Sequence, residues 1–152
     1  MVVRMYVDED GLPYSDYGTY NGIDIGRQRS ILSVAERGLW CWNQFDFGAD
    51  KVLLSYDWNK WPVNREQNPA DSSEALTVFR SCSDWMLNEI QDKNNFAVWV
   101  YPYPMSYGTA SGWRSAHAQA AGLQLLVRAA RLLKRPEFLK PVDCLLSAFD
   151  VA

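Results

Sequence analysis

The side chains with chemical potential in this chain gather between positions 101 and 119: Tyr101, Tyr103, Tyr107, Trp113, Arg114, His117 and Gln119. Aromatic rings such as these offer a large apolar face with a polar handle. An arginine fork matches a carboxylate. His117 is the only histidine of the chain and therefore its only side chain with an unperturbed pKa near neutrality that could serve as a base. Each residue also has an ordinary reading. Trp113 packs the start of a helix as readily as it offers its face to a ligand. Arg114 fits a solvated helix start, and His117 a hydrogen-bonded structural histidine. The amide of Gln119 can hold loops instead of a ligand, and the three tyrosines can cover helix ends instead of lining a groove.

Other constellations are weaker. Asp84 and Glu89 lie five positions apart, so a helix does not bring them to one face, and a two-carboxylate glycosidase pair has no support in spacing. Cys41, Cys82 and Cys144 are widely separated and odd in number. This is neither a disulfide framework nor a zinc pattern, and each thiol reads as buried in an apolar helical stretch. Asp8-Glu9-Asp10-Gly11 resembles half of a calcium loop but lacks the later glycine and glutamate. No metal and no cofactor is expected.

These residues sit in a chain of 152 residues, 48% hydrophobic and 22% charged, which is the composition of one globular domain with a real core. Seven Trp, eight Tyr and six Phe argue against disorder. A net charge of −3 gives no sign of a basic nucleic-acid-binding face. No apolar run is long enough to span a bilayer, and no signal peptide is visible at the start.

The elements that must position the candidates are mainly helical. Residues 1–22 read as an N-terminal loop region with a short strand near 2–7. Apolar spacing predicts a helix over 24–46, capped by Asp24 and fraying before Phe47-Gly48. Residues 48–72 read as an irregular insertion. A helix over 72–91 opens on a capping pair, Asp71 and Glu74. Residues 96–101 are strand-like. The clearest helix covers 113–134, with a stripe through Ala116, Ala120, Leu123, Val127, Ala130 and Leu133. Pro136 then opens a last helix with a stripe through Leu139, Val142, Leu146 and Phe149. Similar helical segments before short turns suggest hairpins of about forty residues.

Gly112-Trp113-Arg114-Ser115-Ala116-His117-Ala118-Gln119-Ala120-Ala121-Gly122-Leu123 resembles the GW-x-SA-x-AQ-x-x-x-L motif of the glucuronyl C5-epimerase C-terminal domain. Ser83-Asp84-Trp85-Met86-Leu87 is similar to that family's SDWL segment, and the Trp99–Pro104 run stands where the family has a W-x-Y-P-like stretch. The resemblance covers residues 74–150 well and 20–45 loosely. It implies an α/α toroid of helical hairpins around a cleft for an acidic, uronate-containing polysaccharide. It also implies inversion of carbon 5 of glucuronate by proton removal from one face and return on the other. Such chemistry needs two acid/base groups and a cation near the carboxylate. The family's acid/base tyrosines and carboxylate-binding arginine fall beyond Ala152 in this comparison, so no catalytic residue is carried over. The substrate-binding candidates are Tyr101, Tyr103, Tyr107, Trp113, Arg114, His117 and Gln119. A uronate lyase or hydrolase on the same toroid, and a non-catalytic glycan-binding or scaffold module, are the competing readings. An apolar edge left where further hairpins dock would favour a homodimer.

Overall fold

The computed structural model describes residues 3–45, 50–105 and 108–151. The expectations for Val2, for the helix end at Phe47-Gly48 and for Tyr107 lie outside the described residues. Three helices build the centre: α1 (Ile31–Asn43), α2 (Ser72–Asn88) and α3 (Ala116–Leu133), with α1 packed against both others. Each start follows from a capping side chain. Ser30 Oγ accepts from the Ser33 amide at 3.3 Å, Asp71 Oδ1 from the Glu74 amide at 2.9 Å, and Ser115 Oγ from the Ala118 amide at 3.2 Å. Glu74 reaches back to the Ala70 amide at 2.8 Å, one residue beyond the usual capping-box partner. Lys134, in the left-handed region at φ 53°, ends α3 two residues before Pro136.

Asp24 does not cap α1. It lies in a strand opposite Thr19, and the helix begins only at Ile31. Ile25 is nonetheless buried, inserted into the core from the turn before Gly26. The buried face of α3 also differs from the expected stripe. Ala118, Ala121, Gly122, Leu125, Leu126 and Ala129 face inward, whereas Ala116 is exposed and Val127 is 46% exposed. Size explains the choice. A Cβ on Gly122 would fall 2.6 Å from the Trp99 ring and 2.7 Å from Met86 Cε, and one on Gly38 would fall 2.7 Å from Leu125 Cδ1. The face made of glycine and alanine is the one that admits such close approach.

The N-terminal region is not simply loop. Strands β1 (Arg4–Val7), β2 (Pro13–Asp16) and β5 (Arg27–Gln28) form an antiparallel sheet in the order β1-β2-β5. Strands β3 (Thr19–Tyr20) and β4 (Ile23–Asp24) make a hairpin between β2 and β5, and β6 (Gln91–Asp92) pairs with β7 (Ala97–Val98) after α2. The strands are too short for alternation to stand out from the turn residues between them, such as Gly11 at φ 81°. Within the larger sheet, Met5 lies opposite Ser15 on the buried face, and Tyr6 lies opposite Tyr14 on the other.

Residues 50–71 are irregular apart from a 3-10 turn at Arg65–Gln67, yet they are firmly held. Asn43 exchanges two 2.8 Å hydrogen bonds with the backbone of Val52, and Trp42 Nε1 donates to the Asp50 carbonyl at 2.9 Å. Glu36 accepts from the amides of Ser55 and Tyr56 at 2.9 and 3.1 Å. Arg37, fully buried, donates to the carbonyls of Gly11 and Gln67 and to Asn68 Oδ1, and lies against the rings of Trp40 and Trp58. Side chains of one helix thus replace the missing backbone ladder.

The last expected helix is broken by Pro141 into a 3-10 turn, Pro136–Leu139, and a short α4 (Val142–Ser147). Phe138 and Leu145 therefore face inward, while Leu139, Leu146 and Phe149 are about half exposed. Cys41 and Cys82 are buried, but Cys144 on α4 is exposed, a correction to the expectation for that thiol. Among the described residues, no helix is long and apolar enough to cross a membrane.

Candidate functional site

A cavity of about 360 Å³ opens between the inner face of the β1–β2 hairpin and the N-terminus of α1. Met5 and Ser15 come from the sheet, Ser30 and Ser33 from the helix start, and Tyr56 and Trp61 from the irregular segment. Tyr17 also lines it, and its hydroxyl lies 3.4 Å from that of Tyr103. The wall thus combines aromatic faces with hydroxyl groups. Among the described residues that line it, none carries a positive or a negative charge.

Three phenols in and behind this cavity wall, Tyr56, Tyr101 and Tyr103, stay neutral. Burial raises the pKa of Tyr56, with the Glu36 carboxylate adding to the shift and a hydrogen bond with Ser33 opposing it. Burial also raises Tyr101, against hydrogen bonds with Ser30 and the Leu32 amide. Tyr103 is pushed up furthest, by burial first and then by Tyr17. Neutral phenols donate and accept hydrogen bonds but hold their protons at neutral pH.

The structure divides the expected site residues into different roles. Tyr101 and Tyr103 are each only 3% exposed. The Tyr101 hydroxyl accepts from the Leu32 amide at 3.1 Å, so this remote side chain satisfies one of the free amides at the start of α1. Trp113 stacks flat on Tyr101, with ring centroids 3.8 Å apart and planes at 9°, and its Nε1 donates to the Tyr103 carbonyl at 2.8 Å. A backbone bridge between Tyr101 and Trp113 fixes the same pair. The packing alternative describes what Trp113 does here.

Gln119 is buried, and its amide is fully engaged. Nε2 donates to the carbonyls of Leu145 and Ala97 at 2.9 and 3.2 Å, and Oε1 accepts from the Trp99 amide at 3.3 Å. One side chain joins α3, β7 and α4. Arg114 is exposed, lies over the Phe96 ring at 5.7 Å and, together with Gln119, Ser115 and Phe149, lines a separate cavity of about 300 Å³. Asp84 is committed to Arg135 at 2.7 Å.

His117 is 59% exposed, with Nε2 lying 3.2 Å from Ser55 Oγ and 3.8 Å from Oε1 of Glu36, whose side chain is 3% exposed. The trio has the residue types of a hydrolytic triad but not its geometry. Serine and carboxylate approach the same ring nitrogen, whereas a relay needs one on each. The amides of Ser55 and Tyr56, which could have stabilised an oxyanion, are taken by Glu36.

Tyr17, Ser30, Ser33, Tyr56 and Trp61 escaped the sequence reading because they come from three separate stretches with no shared spacing. The one available signal was the aromatic and hydroxyl content of residues 14–20 and 55–61. Comparison of the chain with protein-family models, with curated proteins and with solved structures found no match.

Proposed function

We propose that this chain binds a uronate-containing glycan and forms a saccharide-seating part of a glucuronyl C5-epimerase-like protein, its helices being hairpins of an α/α toroid. The observation that carries the reading is the cavity at the start of α1. It offers flat aromatic surface from Tyr17, Tyr56 and Trp61 beside the hydroxyls of Ser30 and Ser33. Sugars present the complementary pattern, with C–H faces for the rings and hydroxyls for the polar groups.

The family assignment rests on the Gly112–Leu123 resemblance. Trp113 of that motif packs on Tyr101 and bonds to Tyr103, and Gln119 holds the junction of α3, β7 and α4. The cavity seats a sugar but supplies neither a cation nor an ionisable base near neutral pH, both of which C5 proton removal requires. Binding is therefore the function proposed for this chain, and epimerisation is the activity of the family it resembles.

Titration calorimetry with heparosan oligosaccharides tests the binding. The expected result is saturable binding, about tenfold or more weaker for Trp61→Ala, as loss of a stacking face implies. No saturable binding by the folded protein overturns it. Hydrogen exchange at carbon 5 of heparosan in deuterated water tests the catalytic reading separately. Exchange by this chain alone would show chemistry that the cavity does not explain.

A further inference from the structure

The outer face of α3 differs from the rest of the molecule in its charge. Helix α1 carries Glu36 and α2 carries Glu74 and Asp84, whereas α3 holds neither aspartate nor glutamate. Arg128 and Arg131 lie on it, and Lys134 and Arg135 follow at once. In a chain of net charge −3 this is a local reversal of sign. Val127, Arg131 and Lys134 stand at spacings of four and three, share one face of the helix and are all exposed. Lys134, in the left-handed region at φ 53°, turns the chain back, so that Pro136 and Leu139 of the 3-10 turn form a second wall. Between the walls lies a groove of about 470 Å³, lined by the apolar Val127, Ala130, Pro136 and Leu139 and by the cationic Arg131 and Lys134. Val127 and Leu139 are each about half exposed, so apolar surface in the groove is left to solvent.

The cations are not neutralised from within. Arg131, whose side chain is 70% exposed, reaches Asp50 Oδ2 at 3.2 Å. The other oxygen of Asp50 faces Arg128 at 3.4 Å, so one carboxylate serves two guanidinium groups. Glu137, the acid of the 3-10 turn, is paired with Arg135 at 2.7 Å, as is Asp84. Among the described residues, Lys134 has no carboxylate within ion-pairing distance.

We propose that this groove docks an acidic amphipathic helix of a protein partner. The partner's apolar stripe covers Val127 and Leu139, and its carboxylates pair with Lys134 and Arg131. Charge complementarity selects the occupant. A second copy of the same face would set Arg131 and Lys134 against their own equivalents, and like charges across an interface oppose association. A membrane-surface helix needs a protruding apolar face flanked by many basic side chains. Here the apolar groups line a recess beside two cations. The exposed residues run along the α3 axis for about 10 Å, which suits a second helix laid alongside with its apolar anchors at helical spacing. No residue of the cavity at α1 takes part, so this surface stands whether or not that cavity seats a glycan.

A fluorescein-labelled synthetic peptide, with leucine along one helical face and glutamate along the other, is the probe. It is titrated against the full chain and followed by fluorescence anisotropy and by protein amide shifts in two-dimensional NMR. The expected result is saturable binding that weakens with added salt, with shifts at Val127, Arg131, Lys134 and Leu139. Lys134→Glu reverses a charge at the rim and Leu139→Ser removes an apolar anchor. Each should weaken binding about tenfold. Both side chains are exposed, so the fold withstands either change, and the dispersion of the NMR spectrum verifies this. Equal affinity for a peptide with lysine in place of glutamate removes the charge selection and the proposal with it. Peptide-induced shifts confined to other parts of the chain overturn it, as does the absence of saturable binding by the folded protein. Shifts at the groove that grow with protein concentration in the absence of peptide assign the face to a second copy. Retention on phosphatidylserine vesicles, lost in Lys134→Glu and without peptide binding, assigns it to lipid. Either result overturns the protein-partner reading.

Discussion

The segment at the start of α3 and the segment at the start of α1 use similar side chains for opposite purposes. At α3, Trp113 and Gln119 are saturated: the indole is stacked and hydrogen-bonded, and the amide makes three bonds, to α4, to β7 and to Trp99 just after β7. At α1, Ser30, Ser33 and Tyr56 border a cavity whose other walls are the sheet and Trp61. The more recognisable stretch of sequence is therefore packed into support, and the less recognisable one borders an open cavity.

The sharpest way to break this contrast is alkali. Buried acids that stay protonated in the folded chain ionise freely once it unfolds. Burial pushes the Cys41 thiol up from 9.0 to about 12, and raises Cys82, Tyr56, Tyr101 and Tyr103 as well. Their folded pKa values lie above the unfolded ones, so the folded state binds more protons between the two. Stability is then fully present below about pH 9 and falls as pH rises through the window. Melting temperature should drop steeply from pH 9 to 11, and phenolate absorbance should show a late, cooperative phase coincident with unfolding. Smooth titration of all tyrosines near pH 10 without unfolding would contradict the buried cluster.

Next in size is Trp99→Ala. Trp99 is about 1% exposed, lies against the glycine of α3 and donates to the Met86 carbonyl at 2.8 Å. Truncation should cost about 3–5 kcal/mol, measured by urea unfolding. Gln119→Leu should cost about 1–3 kcal/mol, because it leaves the Ala97 and Leu145 carbonyls without their donor. A neutral result there would mean that water replaces the amide and that α3 is not the rigid member of the pair. The smallest stability effect belongs to Ser33→Ala, expected to cost under about 1 kcal/mol, while saccharide affinity falls. Its companion at the support, Trp113→Phe, should show the reverse balance, with stability reduced by about 1 kcal/mol through loss of one hydrogen bond and affinity affected only indirectly.

What was legible in the sequence follows the range of the interactions. Capping of α2 by Asp71 and the helical character of α3 are local, and both are present. Which face of α3 turns inward depends on Trp99, Met86 and Leu125, and periodicity alone favoured the wrong neighbour, Val127. Asp24 looked like a cap because it precedes an apolar run, but strand pairing with Thr19 claims it. Four of the seven proposed site residues, Tyr101, Tyr103, Trp113 and Gln119, are packed among one another or into the junction. Arg114 and His117 are exposed, on separate cavities or clusters, and Tyr107 lies outside the described residues. The cavity at α1 depends on contacts between distant stretches, such as Tyr17 with Tyr103, which no spacing rule reports.

The grip of α1 on residues 50–68 has a consequence for how the protein can change. Asn43, Glu36 and Trp42 hold the backbone of Val52, Ser55, Tyr56 and Asp50, and Arg37 holds that of Gln67. The bonds recognise peptide groups, which every residue type shares. The identities of the side chains mounted on this segment are thus largely uncoupled from its path. Tyr56 and Trp61, which it presents to the cavity, can be exchanged while the mounting stays in place. The segment has the character of an interchangeable cassette: a new cavity lining is reachable through substitutions that leave the helices undisturbed.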